Sequence, residues 1–450
     1  MRFSILPRIV RKYPFVSGTI LLTATGIISR IIGFFYRIFL SQNIGEEGMG
    51  IYQLIAPVMA ISFSLTCAGI QTSISKYTAS YMAEGNKKSC MRILTCGFLL
   101  SFVLSVLCTI IMYRYSDFIA GRLLLEQRCA PLVRIYALSL PLACLHSCIN
   151  GYYYGLKKSL VPSVTQLAEQ LARVGSVFAI YTYSANIHAE PSIAVTMLGI
   201  LIGEICSTFL SVLAAIHHFR TQKDHAKSSP PPRSYGRHLI EITTMAGPLI
   251  ANRLTLNLLQ SVEAVQIPNM LLRFGMTQTE ALSSYGVLTG MTFPLILFPC
   301  AITSSISVLL LPYISEAHAR KDSAKIKSSV TKCVAFCLLL GSFFCLLFLS
   351  AGPALGRFLF HSKLAGSYIQ ALSITCPLLY LSGVLTSTLH GLGKPLRAFL
   401  YNAVSLLVRL LFVFLLMPRI GMYGYLIGIL VSELLLVFLL MSNLKRSLLI

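Results

Sequence analysis

The chain is 450 residues long, 55% hydrophobic and only 12% charged, with a mean hydropathy of +0.75. Soluble domains carry about 25% charged residues, so this composition excludes a soluble enzyme, a disordered chain and a disulfide scaffold. The apolar runs exceed about 20 residues and do not alternate, which excludes a membrane β-barrel as well.

What remains is an all-α polytopic membrane protein, and at about 20 residues per span the chain predicts about twelve helices. The first, near 15–40, follows the basic stretch Arg2, Arg8, Arg11 and Lys12; it is too long for a signal-peptide core and reads as a retained helix. Five more follow near 48–74, 93–113, 131–152, 161–183 and 192–218. The polar stretch 219–238, with its Lys227-Ser-Ser-Pro-Pro-Pro-Arg233 run, then reads as a basic cytoplasmic linker. Beyond it lie spans near 239–263, 284–311, 330–350, 365–389, 398–417 and 421–442.

The surplus of 37 basic over 15 acidic residues, +22, fits one side of a bilayer better than nucleic acid. With the N-terminus inside, roughly 24 of the basic residues fall in inside loops and about eight outside, a bias that predicts both termini in the cytoplasm. Those loops would also meet anionic membrane lipids. The base-rich segment 114–134 runs against the trend. With no Trp in the chain, interfacial aromatic belts must rest on the 21 Tyr and 25 Phe.

The halves repeat. Pro141, Gly155, Leu156, Lys158 and Arg173 recur as Pro377, Gly391, Leu392, Lys394 and Arg409 at one constant offset, and Ile74-Ser75 and Ala79 recur as Ile314-Ser315 and Ala319. This predicts an N-terminal six-helix bundle (1–218), the linker (219–238) and a C-terminal six-helix bundle (239–450). Six helices per half make the repeat parallel, and transporters of this kind bind substrate in a central cavity between the halves. Proline at 57, 141, 248, 294, 299 and 377 would kink the spans that must rock.

Five arginines fall within spans: Arg30, Arg37, Arg173, Arg253 and Arg409. Each costs roughly 2.5–3.5 kcal/mol at mid-bilayer, so they are candidate substrate-binding groups in a hydrated cavity. Glu169 precedes Arg173 by one helical turn and can pair with it. Arg409 has Ser405 in that place. Guanidinium groups hold phosphate or carboxylate bidentately, which points to an anionic substrate such as a diphosphate. The in-span acids Glu169, Glu204 and Glu433 are candidates for ion coupling; Glu241 and Arg37 read as interfacial. The 13 cysteines form no CxxC pair, and Cys144/Cys148 and Cys333/Cys337 read as small residues on one helix face. No metal or cofactor is expected. With no Walker A, HExxH or GxSxG sequence, the chain reads as a non-enzyme.

The stretch SRIIGFFYRIFLSQNIGEEGMGIYQLIAPV at 29–58 closely resembles the N-terminus of the stage V sporulation protein B family. NGYYYGLKKSLVPSVTQLAEQLARV at 150–174 and GLGKPLRAF at 391–399 resemble further segments of it. That family belongs to the multidrug/oligosaccharidyl-lipid/polysaccharide (MOP) exporter superfamily, with the MurJ-type lipid II flippases. The resemblance implies an alternating-access flippase for an undecaprenyl-diphosphate-linked wall precursor, destined for spore cortex peptidoglycan, in a bacterial cell membrane. In MurJ-type proteins cavity arginines hold the lipid diphosphate. Ser29, Arg30, Gly33 and Phe34 match that motif, whereas Arg37 lies about one residue out of step. Export of another lipid-linked polysaccharide, cation-coupled drug efflux, and a non-transporting scaffold for wall-synthesis enzymes are the alternatives.

Overall fold

A computed structural model describes residues 14–186, 192–222, 234–320 and 322–448. The basic N-terminal stretch and the Pro-rich run of the linker lie outside these residues. Among the described residues every regular element is helical.

The helices are α1 (Pro14–Leu54), α2 (Ala56–Phe63), α3 (Gly69–Ala83), α4 (Lys87–Arg114), α5 (Ala130–Gly155), α6 (Leu160–Asn186) and α7 (Ala194–Gln222). After the linker come α8 (Tyr235–Phe274), α9 (Gln278–Gly286), α10 (Cys300–Ala319), α11 (Ser323–Phe360), α12 (Lys363–Ser373), α13 (Cys376–Gly391), α14 (Pro395–Leu415) and α15 (Met422–Leu448).

Eight helical runs among the described residues are long and apolar enough to cross a membrane, or nine with the bent pair α12–α13, whose halves meet at 59°. The shortfall from twelve has physical causes. One run, Leu21–Ala83, has 63 residues, length enough for more than one crossing at about 20 residues each. Two helices outside that count, α6 and α8, carry the Glu169–Arg173 pair and Arg253 with Glu263. The expected loop between the first two spans is instead a kink in α1 at Gly45, where φ is 68° and ψ −173°. The expected span 284–311 is likewise interrupted. A π-helical turn, Val287–Thr292, follows α9, and Pro299 precedes α10. At the head of α9, Thr277 and Glu280 form a reciprocal cap, and the hydrogen bonds from the Thr277 backbone and hydroxyl hold the Glu280 carboxyl below its ordinary range.

The chain forms two compact units. One comprises Met1–Gly33 and Ile55–Leu258, the other Phe34–Leu54 and Leu259–Ile450. The division falls inside α1 and α8. In the first unit α3, α4 and α5 share a buried core with the start of α8, including Ile70, Ile74, Ile93, Cys144, Tyr152 and Ile242. In the second, α10, α11, α13 and α15 converge on Ile314, Val330, Leu385 and Leu440.

The repeated residues touch one another. A Cβ on Gly155 would stand 2.6 Å from the Ser75 carbonyl, and one on Gly391 would stand 3.0 Å from Leu311 O and from Ile314. Ser315 donates to the Gly391 carbonyl at 3.0 Å. Glycine therefore lets α5 close on α3, and α13 on α10, at corresponding places in each unit.

Candidate functional site

In the first unit α3, α5, α6 and α7 place polar side chains around a cavity of about 250 Å³. From α5 come His146, Ser147 and Asn150; His146 Nε2 and Asn150 Nδ2 are 2.6 Å apart across one helical turn. Ser147 donates to Gln71 of α3 at 3.1 Å. Glu169 projects from α6 and Glu204 from α7. One ligand atom from each of His146, Glu169 and Glu204 lies within 4.8 Å of the other two, so the trio can hold a cation. Glu204 meets His146 Nδ1 at 3.6 Å, and Glu169 is paired with Arg173 at 2.5 Å.

What brings the second carboxylate in is a pair of glycines four apart on α7. A Cβ on Gly199 would stand 2.2 Å from Val177, and one on Gly203 would stand 2.9 Å from the Glu169 carbonyl. The small-xxx-small spacing lets α7 lie against α6, so that Glu204, next to Gly203, reaches Glu169. Two carboxylates and one guanidinium leave a net negative charge in the chamber before any proton on His146.

A second cluster lies in the second unit. Arg409 on α14 pairs with Glu263 on α8, its Nη2 donating at 2.9 Å, and Tyr425 on α15 donates to the same carboxylate at 2.6 Å. The missing in-helix partner of Arg409 is thus replaced from another helix. Glu433 on α15 is buried nearby in sequence, and its Oε2 has no hydrogen-bond partner among the described residues.

The remaining arginines differ. Arg30 and Arg253 belong to the first unit and both are exposed. Arg253 makes no hydrogen bond or ion pair among the described residues. Arg37 belongs to the second unit, where it is half-buried and donates to the Thr289 carbonyl at 3.4 Å. Glu241, read as interfacial, has a side chain only 16% exposed; it accepts from Tyr81 at 2.5 Å and lies 3.2 Å from the buried His238 ring. Sequence reasoning missed His146, Asn150 and Tyr425. The only available signals were the one-turn spacing of the first two and the Gly199/Gly203 pair beside Glu204.

The profile of the family described as polysaccharide biosynthesis protein matches residues 15–318. The chain belongs to that family. A second profile, MatE, matches residues 248–415. Over 416 residues, 92% of this chain and 80% of the relative, the chain is 27% identical to stage V sporulation protein B of Bacillus subtilis (strain 168).

Among solved structures, the inward-facing conformation of a multidrug resistance MATE family transporter of the MOP superfamily superposes with a TM-score of 0.73 at 13% identity, covering 93% of this chain and 95% of that one. Lipid II flippase MurJ in its inward closed conformation gives a TM-score of 0.72 at 15% identity, covering 95% and 87%. The chain thus shares its fold with transporters of the MOP superfamily, and its long apolar helices make it a multi-pass membrane protein.

Proposed function

We propose that this chain flips an undecaprenyl-diphosphate-linked cell-wall precursor, lipid II-like and destined for spore cortex peptidoglycan, across the bacterial cell membrane by alternating access. The observation that carries this reading is a contrast in exposure. Glu169, Glu204, Glu241, Glu263 and Glu433, the acids within the expected spans, are each less than one-fifth exposed, while Arg30 and Arg253 are exposed. The accessible in-span charge in the first unit is therefore positive, which suits a diphosphate and repels a cationic drug. The likeness to a sporulation protein over most of the chain supports the destination.

In this reading Arg30 and Arg253 hold the diphosphate. Arg173 and Arg409 are tied to carboxylates and act in support; Arg37, bound to a backbone carbonyl, keeps at most an accessory part. Glu169 and Glu204, with His146, take up the coupling ion, a proton or a monovalent cation that cancels the net negative charge of their chamber. At about 250 Å³ that chamber falls below the roughly 300–1,000 Å³ of drug-sized sites, which suits an ion and not a drug-sized molecule there.

Reconstitution in vesicles with fluorescent lipid-linked precursor tests the reading. Arg30→Ala and Arg253→Ala should each lower translocation at least tenfold, since losing one charge-assisted contact costs about 1.5–3 kcal/mol. Translocation unchanged in both variants, with the protein folded, would refute it.

A further inference from the structure

Where α11 and α15 lean on α13, their outer flanks leave a groove of about 590 Å³ in the second unit. Its wall is apolar: Val330 and Val334 stand one turn apart on α11, and Phe438, Met441 and Leu444 line α15. Its mouth is basic. Lys327, in the second turn of α11, and Lys445, in the last turn of α15, both line it and both are exposed. Thr331 and Ser442 add a hydroxyl beside each lysine. No acid lines the groove, and from Ser323 to the C-terminus Glu433 is the only acidic residue against eleven basic ones.

An apolar trough with two ammonium groups and two hydroxyls at one end of spanning helices matches a molecule that is hydrocarbon along its length and anionic at its tip. α11 is also the least buried of the eight helical runs long and apolar enough to cross a membrane, which suits a groove open to lipid. We propose that it binds one anionic phospholipid, with an acyl chain along Val334, Phe438 and Met441 and the phosphate on Lys327 and Lys445. The site shares no residue with the candidate arginines or the His146 chamber and does not depend on what is transported.

The absence of Trp from the chain supplies the test. Phe438→Trp in the full-length protein places a sole tryptophan in the groove, and Leu346→Trp places one on the exposed middle of α11 as a control. Each is reconstituted in phosphatidylcholine vesicles with rising fractions of brominated phosphatidylglycerol or brominated phosphatidylcholine, and quenching is recorded. A base near a membrane surface favours anionic lipid by about fivefold, so the groove tryptophan should prefer phosphatidylglycerol by about 25-fold and the control should show no preference.

Lys327→Ala with Lys445→Ala should bring the groove to parity, while Lys→Arg at both should keep the preference. Inorganic phosphate should not compete. Equal quenching by the two lipids at the groove, or a preference that survives the double alanine, would overturn the proposal. So would a tryptophan shielded from both lipids, which is the result expected if a second copy of the chain covers the groove.

Discussion

Two ion pairs show how differently a single in-span charge can be settled. Arg173 finds Glu169 on its own helix, a pairing legible from spacing alone. Arg409 finds Glu263, 146 residues earlier, with Tyr425 as a third member, and no local pattern announces that. Removing one partner of a buried pair costs about 3–5 kcal/mol because it strands the other charge. Arg409→Ala should therefore lower the melting temperature in detergent markedly, and Arg409→Met with Glu263→Leu, which removes both charges at similar volume, should recover most of the loss. If the double variant melts no higher than the single one, the pair is not what sets the cost. In the first unit the sharper test is Glu204→Gln. It keeps the shape of the His146 chamber and removes the surplus negative charge, so transport should lose its dependence on an imposed proton or sodium gradient while exchange without a gradient persists. Glu204 was a candidate from its position in a span; its juxtaposition with His146 was not legible, because it depends on how closely α7 approaches α5.

Helix positions were legible because a bilayer demands long apolar runs, and that demand is written locally. The breaks were less so. Gly45 interrupts α1 where a polar loop was expected, and a π turn with Pro299 interrupts the span after α9; both depend on backbone angles more than on hydropathy. The repeat carries one further element-scale consequence. The turn after α5 places Lys157 at φ 59°, and the matching turn after α13 places Gly393 at φ 71°. A non-glycine residue in the left-handed region costs about 1–2 kcal/mol, and nothing lies within 4 Å of a Cβ built on Gly393, so the backbone alone separates the two turns. Lys157→Gly should stabilise the folded protein by about 1 kcal/mol, and Gly393→Lys should destabilise it by a similar amount, read as opposite shifts in melting temperature. Shifts of the same sign would mean that the lysine side chain, and not its backbone, decides the first turn.

At the scale of the whole molecule the distribution of charge sets orientation. The loops assigned to the inside carry roughly three times as many bases as those assigned to the outside, and the membrane potential adds about 2.3 kcal/mol per charge per 100 mV against moving a base outward. The base-rich segment 114–134 is the one stretch that opposes this pattern. In the folded protein two of its bases are engaged nearby: Arg128 pairs with Glu126 at 2.8 Å and Arg134 with Asp117 at 2.6 Å. Those pairs explain how the folded segment tolerates its charge. They do not set its side, because orientation follows the count of Lys and Arg in short loops and acids contribute little. The surplus over the rest of the chain is large enough to prevail, so both termini should face the cytoplasm and 114–134 should face outward. A reporter active only in the cytoplasm should work when fused after Ile450 and fail when fused after Arg122, and a reporter active only outside should do the reverse. Cytoplasmic activity at both fusion points would mean that the chain crosses the membrane an even number of times between Arg122 and Ile450, in place of the nine crossings expected, so the division of the spans into six and six would fail.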